Sequence, residues 1–276
     1  MFCEVRFEVL GPVRGWHGKT ELDLGSPQQR AVLAMLLLAR GRQVSLDGLI
    51  DGLWGERVPR SAAGTIRTYV SRLRRILDKA AHAPRGGPIQ SIGDGYQLRA
   101  GWAVLDLDTF EQRLTEARAA RDGQDTARGA RLLRDALGLW RGAALAGVPG
   151  PYADSRRVPL TELHVAATEE KLAADISLGE HAAAIVELRA LLAEHHFRER
   201  LTELLMLALY KSGRQAEALD VFDGVQRRLS DELGIDPGPS LQTLHQRVLR
   251  ADRRLMDAAD AGPARLAGAL SAAKVA

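Results

Sequence analysis

The feature that most constrains this chain is the stretch from residue 60 to 79, in which apolar side chains recur at helical spacing. Ile66, Val70, Leu73 and Leu77 fall at positions i, i+4, i+7 and i+11, so they share one face of an α-helix. The charged residues of this stretch are one acid, Asp78, and the cations Arg60, Arg67, Arg72, Arg74, Arg75 and Lys79. The pattern predicts a long helix that buries one stripe and presents a positively charged face.

The residues expected opposite the apolar stripe combine cations, small hydroxyls and one aromatic ring: Thr65, Thr68, Tyr69, Arg72 and Arg75. Arginine can pair with guanine edges in the major groove, and threonine can bind phosphates or contact thymine methyl groups. A solvated helix face usually mixes charges of both signs, so the near-uniform sign favours nucleic acid. Tyr69 is equally compatible with packing at the shoulder of the helix.

Shorter elements surround this helix in a defined order. Alternating apolar residues predict strands at residues 5–9 and 20–25, and two helical patterns follow, beginning near Pro27 and Ser45. After the basic helix, Gly93-Asp94-Gly95 separates two short apolar runs, which predicts a β-hairpin. Strands, three helices and a hairpin together indicate a winged helix-turn-helix. The predicted DNA-binding residues are Arg60, Thr65, Arg67, Thr68, Tyr69, Arg72, Arg75, Asp94 and Tyr96.

Charge is distributed unevenly along the chain. The first 100 residues hold 15 Lys and Arg against 9 Asp and Glu, a net charge of +6, whereas the remainder has a net charge of −3. A basic N-terminal part is compatible with a polyanionic partner and also with ordinary solvated surface charge. The location of the cations on one helix favours the polyanion.

From about residue 107 the strand patterns give way to leucine- and alanine-rich helical patterns. Gly179, Ala184 and Leu188 recur 34 residues later as Gly213, Ala218 and Phe222. This is the tetratricopeptide period, in which a glycine turns the chain and a small alanine lets two helices approach. A loop is expected at residues 142–159, where Gly and Pro are frequent.

The expected fold is therefore mainly α with a small β component: a winged helix followed by an all-α tetratricopeptide-like domain. We expect the domains at 1–103 and 104–252, and a flexible tail or a linker at 253–276. No Ser/His/Asp set, carboxylate pair or glycine-rich nucleotide fingerprint is apparent, so we expect neither an enzyme nor a cofactor. His195 and His196 are adjacent on a helix and point in different directions, which argues against a metal site. A single cysteine and the absence of long apolar stretches indicate the cytoplasm. For a DNA-binding protein we expect association with the nucleoid there.

The first part of the chain resembles the OmpR/PhoB type of winged helix over roughly residues 5–100. The resemblance rests on the run Ser71-Arg72-Leu73-Arg74-Arg75 and on Gly93, Gly95 and Tyr96 in the hairpin. It implies that the basic helix is a recognition helix and that the hairpin is the wing beside it.

The chain as a whole is similar to the Streptomyces antibiotic regulatory proteins over about residues 5–252. The segment "ELGIDPGPSL", Glu232 to Leu241, is especially typical, as are "LGSPQQRAVLAMLLL" and "LIDGLWGE". The resemblance implies an activator that binds direct repeats of double-stranded promoter DNA as a head-to-tail pair. It further implies contact with RNA polymerase holoenzyme through the sigma factor, with the alpha subunit as a second candidate, at genes for secondary metabolites such as antibiotics.

Two hypotheses of different classes remain at this point. One is a sequence-specific transcription activator. The other is a protein-interaction scaffold, in which the helical repeats bind a peptide and the winged helix binds protein rather than specific DNA. The near-uniform positive charge of residues 60–79 distinguishes them, because a scaffold has no need for it.

Overall fold

The computed structural model describes residues 5–81, 87–99 and 101–257. The strands within these ranges are β1 (Val5–Glu8), β2 (Arg14–His17), β3 (Thr20–Glu21), β4 (Val44–Ser45), β5 (Ile89–Ile92), β6 (Gly95–Leu98) and β7 (Val104–Leu105). The first helices are α1 (Pro27–Leu38), α2 (Leu46–Trp54) and α3 (Ala62–Ala81). The later ones are α4 (Asp106–Asp122), α5 (Thr126–Leu137), α6 (Pro151–Ser177), α7 (His181–Glu194), α8 (Glu199–Lys211), α9 (Gln215–Leu233), α10 (Pro239–Leu249) and α11 (Arg254–Asp257).

Contacts divide the chain into two compact units. The first comprises the described residues within 1–114 and 135–164, and the second comprises those within 115–134 and 165–276. The predicted domain limits at 103 and 252 remain predictions. Leu255, in α11, is buried in the core of the second unit, and residues 258–276 of the predicted tail lie outside the described residues.

The first unit contains a four-stranded sheet in the order β3-β2-β1-β7. β1 pairs antiparallel with β2 and parallel with β7. The strand predicted at residues 20–25 is wrong beyond its first two residues, because only Thr20–Glu21 pairs with β2. Leu24 is nevertheless buried, so its apolar character reflects a core position in a loop rather than a strand.

The apolar stripe of α3 is confirmed as a core element of the first unit. Ile66, Val70, Leu73 and Leu77 are all buried, and α3 packs against α1 and α2. Ser26 caps α1 by accepting a hydrogen bond from the Gln29 amide at 3.3 Å. The helices therefore form where the sequence supplies apolar faces and capping side chains.

The predicted hairpin is confirmed as β5 and β6, and β4 pairs with the outer side of β6. Gly93 begins the turn with a φ of +55°, a conformation that favours glycine. Gly95 is required for a different reason: a Cβ there would lie 2.2 Å from the carbonyl oxygen of Val44. The backbone of β4 therefore lies directly against the hairpin, which we call the wing (residues 89–98).

The 34-residue repeat is confirmed in the second unit. α6 ends at Ser177 and α8 at Lys211, while α7 begins at His181 and α9 at Gln215, so both boundaries recur after 34 residues. Gly179 and Gly213 turn the chain at equivalent positions with φ values of +90° and +76°. The equivalent alanines Ala184 and Ala218 are both buried in the core of this unit.

The loop expected at residues 142–159 is shorter than predicted. α6 begins at Pro151, because proline at the first helical position loses no hydrogen bond there, and it continues through Pro159. Pro159 and Ser155 are both exposed, so water can satisfy the Ser155 carbonyl that lacks an amide donor at Pro159. The loop was predicted from the number of Gly and Pro residues, without regard to where in a helix each proline would lie.

Candidate nucleic-acid interface

The exposed face of α3 carries arginines that have no partner among the described residues. Arg67, Arg72 and Arg75 are exposed, and none of them forms an ion pair or side-chain hydrogen bond with the described residues. Arg60, just before the helix, is likewise exposed and unpaired within the described part of the chain. Asp78 is the one acid on α3. The face therefore keeps its positive charge available for an external anion.

The two predicted threonines lie on the same side of α3, but their hydroxyl protons are already engaged. Thr65 donates to the carbonyl oxygen of Ser61 at 3.0 Å, and Thr68 donates to that of Gly64 at 2.9 Å. Because a phosphate oxygen only accepts, binding one would require either hydroxyl to leave its helix carbonyl. Thr68 is exposed and can present its methyl group without that rearrangement.

Tyr69 is placed at the edge of the α3 face. Its side chain is half-buried, and its hydroxyl donates to Oε1 of Gln28 in α1 at 2.6 Å. This short contact ties the ring to the neighbouring helix. Of the two sequence-based interpretations, the contact favours packing at the shoulder of α3.

Asp94 and Tyr96, the predicted wing contacts, are held by the protein itself. The Asp94 carboxylate accepts from Nε2 of Gln43 at 3.1 Å, and its carbonyl accepts from the Leu46 amide at 3.1 Å. Tyr96 is half-buried in β6, opposite Val44 of β4. Both residues lie in the wing, where they connect it to β4 and the start of α2.

Sequence reasoning missed two features of α3. Arg74 belongs to the same basic run as Arg72 and Arg75, but it is half-buried and directed toward the wing, with Nε 3.0 Å from the Ile89 carbonyl oxygen. Gly64 lies exposed in the first turn, where a Cβ would meet no protein atom within 4 Å. Residue type does not separate Arg74 from the other cations of its run, so the sequence carries no signal for its role. Gly64 does carry a signal, because a glycine inside a helical pattern stands out in the sequence.

The described residues contain no group of three or more His, Cys, Asp or Glu side chains placed to hold a metal ion. In the same ranges, no helix combines the length and apolar character needed to cross a bilayer.

Comparison with known proteins assigns both parts of the chain. Residues 19–98 match the family model "Transcriptional regulatory protein, C terminal", and residues 105–249 match "Bacterial transcriptional activator domain". The regulatory protein DnrI of Streptomyces peucetius is 33% identical over 90% of this chain and 93% of its own length. The chain belongs to the Streptomyces antibiotic regulatory protein family. Both matched models describe domains of transcriptional regulators.

The chain spans only part of the length of some of its relatives. The regulatory protein AfsR of Streptomyces griseus is 50% identical over 93% of this chain, which spans about a quarter of that protein (26%). The solved structure of Mycobacterium tuberculosis EmbR in complex with a low-affinity phosphopeptide superposes with a TM-score of 0.85 at 37% identity. That superposition covers 93% of this chain and 69% of EmbR, so the family fold extends through the winged helix and the helical domain.

Proposed function

We propose that this chain is a sequence-specific transcription activator that binds direct repeats in promoter DNA through α3 and the wing. In this account it recruits RNA polymerase holoenzyme to genes of secondary metabolism, antibiotic biosynthesis among them. The observation that carries the proposal is the unpaired cationic face formed by Arg67, Arg72 and Arg75. Exposed cations without internal partners bind phosphates at little desolvation cost and release counterions in doing so.

The two sides of α3 have different roles in the proposed DNA binding: one packs in the core and the other contacts DNA. The buried stripe fixes the helix to α1 and α2, so the cationic face is held rigidly rather than on a loop. Arg72 and Arg75 are proposed to contact base edges or phosphates, and the Thr68 methyl group is proposed to contact DNA about one helical turn before Arg72. Arg60 and Arg67 extend the charged surface toward the N-terminal end of the helix and serve as phosphate contacts.

The helical domain is proposed as the surface that contacts the polymerase, through the sigma factor and secondarily the alpha subunit. Residues 101–276 carry a net charge of −3, so this part is a poor second site for DNA. Packed helices such as α7, α8 and α9 present extended surfaces suited to protein partners. Recruitment places the protein in the cytoplasm, on the nucleoid.

Direct repeats follow from the proposed head-to-tail pairing. Two copies related by translation along DNA contact each other through different surfaces and have no twofold axis. Footprinting of the full chain on promoter fragments should therefore protect two half-sites of the same orientation, about one helical turn apart. Protection of an inverted repeat would contradict the head-to-tail arrangement.

Run-off transcription with purified holoenzyme tests activation. The full chain should stimulate transcription from a promoter that carries the footprinted site, and it should add polymerase to the DNA complex in a supershift assay. A chain cut after residue 103 is unsuitable for this test, because β1 and its neighbours bond to the later residues Asp106, Arg141 and Leu145. Stimulation that persists on a promoter lacking the site, or specific DNA binding that is absent altogether, would favour the scaffold hypothesis instead.

A further inference from the structure

We propose that Arg74 is a positioning residue: it fixes the wing against α3, and it does not bind DNA phosphate as its neighbours Arg72 and Arg75 do. This inference rests on the proposed function in one respect, that α3 and the wing dock on DNA together. The structural part of the inference, the attachment of the wing, holds for the free protein and can be measured without DNA.

The Arg74 guanidinium contacts both strands of the wing. Its Nε donates to the carbonyl oxygen of Ile89 at 3.0 Å, and its Nη2 donates to Oγ of Ser91 at 2.8 Å. Its Cζ lies 5.6 Å from the centroid of the Tyr96 ring, within the range of a cation–π interaction. The Arg74 side chain therefore holds β5 by two hydrogen bonds and holds β6 by a contact with the Tyr96 ring.

The three arginines at positions 72, 74 and 75 of α3 differ in what surrounds them. Arg72 and Arg75 are exposed and unpaired within the described residues, whereas Arg74 is half-buried. Two of the five N–H groups of Arg74 donate to the Ile89 carbonyl and the Ser91 hydroxyl, so the Nε–Nη2 side of the guanidinium is occupied within the protein. The charge of Arg74 is therefore used inside the protein, while those of Arg72 and Arg75 face outward.

The geometry requires arginine rather than a generic cation. Two nitrogens of one planar group donate to a backbone and a side-chain oxygen, and the same group lies against the Tyr96 ring. A lysine ammonium is a compact charge on a flexible stem and cannot make both hydrogen bonds and the ring contact in this arrangement. Replacement by lysine therefore keeps the charge of the site but loses its attachment to the wing.

The wing is attached to the rest of the first unit on its other side as well. Gln43 donates to the Ile92 carbonyl at 2.8 Å and to Asp94, and β4 pairs with β6. Those contacts fix the wing to the segment before α2, whereas Arg74 sets its distance and angle to α3. Loss of Arg74 should loosen β5 selectively without unfolding the hairpin.

Hydrogen–deuterium exchange of the full chain without DNA tests the attachment. Arg74→Met keeps most of the aliphatic volume and removes the donors, and Arg75→Met is the matched control one residue away. We expect amide exchange in residues 89–98 to rise about tenfold or more in Arg74→Met, as loss of hydrogen bonds from a charged donor implies, and to stay unchanged in Arg75→Met. Ser91→Ala, which leaves the charge of α3 intact, should raise exchange in the same segment and covers the case in which Arg74→Met fails to fold.

Charge-preserving variants test the role in DNA binding. Arg75→Lys should retain most of the affinity of the full chain for a promoter duplex, whereas Arg74→Lys should lose about as much as Arg74→Met. Wild-type exchange in residues 89–98 of both Arg74→Met and Ser91→Ala would overturn the proposal. So would restoration of affinity and salt dependence by Arg74→Lys, since that is the behaviour of a phosphate contact. If the wild-type chain bound no DNA, the proposed function would fail while the exchange experiment still decided the role of Arg74.

Discussion

Both carboxylate oxygens of Asp106 lie 3.0 Å from the backbone nitrogen of Val9, although the two residues are 97 positions apart in sequence. One of the same oxygens accepts from the Leu10 amide at 2.9 Å, and the other accepts from the Leu107 amide at 2.8 Å. The first residue of α4 is therefore bonded to the end of β1. Cutting the chain before α4 would leave two buried amides without partners.

The stability of the protein should depend on the ionisation of Asp106. Burial raises the pKa of Asp106 from 3.8 to about 6, against the opposing effect of the backbone amides, with a smaller contribution from the Glu8 carboxylate. Because the folded state holds the proton more tightly than the unfolded state, this contribution to stability is complete below pH 4 and is lost as the pH rises through 6. The loss should reach about 3 kcal/mol at most, at about 1.4 kcal/mol per pKa unit.

Urea denaturation of wild type and Asp106→Asn across pH 4 to 7.5 checks this effect. The neutral amide removes the ionisation, so the free energy of unfolding of wild type should fall relative to the variant as the pH rises. A difference between the two proteins that stays constant over this range would contradict the burial argument.

Compared with alanine, Gly64 should lower the stability of the fold and raise the affinity for DNA. A Cβ at this position meets no protein atom within 4 Å, so Gly64→Ala should raise the free energy of unfolding by about 0.5–1 kcal/mol. The added methyl group would lie on the DNA-facing side of α3, and affinity should fall roughly tenfold, the equivalent of about 1.4 kcal/mol. Thermal melting and fluorescence anisotropy with a promoter duplex measure the two effects, and unchanged affinity would place Gly64 away from DNA.

The small side chain of Ala218 should be essential to the helical repeat. It is fully buried where α9 packs, so Ala218→Leu should destabilise the second unit by about 1–3 kcal/mol through overpacking. Ala216→Leu is the matched control, because Ala216 lies exposed on the same helix. Chemical denaturation should separate the two variants, and equal stability would mean that the repeat tolerates bulk at the helix contact.

The sequence was most informative where the signal is local. The spacing of Ile66, Val70, Leu73 and Leu77 predicts the orientation of α3, and the glycines of the wing predict its turn, because each pattern reports on a few adjacent residues. The helical repeat could be predicted from the sequence because the same local pattern of turn glycine and small alanine occurs in both copies. Its period alone placed the turns and the buried alanines correctly.

The remaining features depend on contacts between distant residues. The amides of Arg141 and Leu145 donate to the carbonyls of Leu10 and Val9, and nothing near those residues in sequence signals the pairing. Arg74 cannot be distinguished from Arg72 by residue type, because its role depends on a strand that begins 15 residues later. The predicted contacts Asp94 and Tyr96 illustrate the same limit, since their partners Gln43 and Val44 precede α2.

The central claim, that α3 binds DNA through its unpaired cations, is tested most directly by the salt dependence of binding to a promoter duplex. Arg72→Ala/Arg75→Ala should weaken binding by the full chain and reduce the slope of log affinity against log salt by about 1–2, since each phosphate contact contributes about 0.9. Arg250→Ala/Arg253→Ala removes the same charge from exposed positions in the second unit and should leave affinity and slope nearly unchanged. Equal affinity and slope for wild type and Arg72→Ala/Arg75→Ala would show that α3 is not the recognition helix.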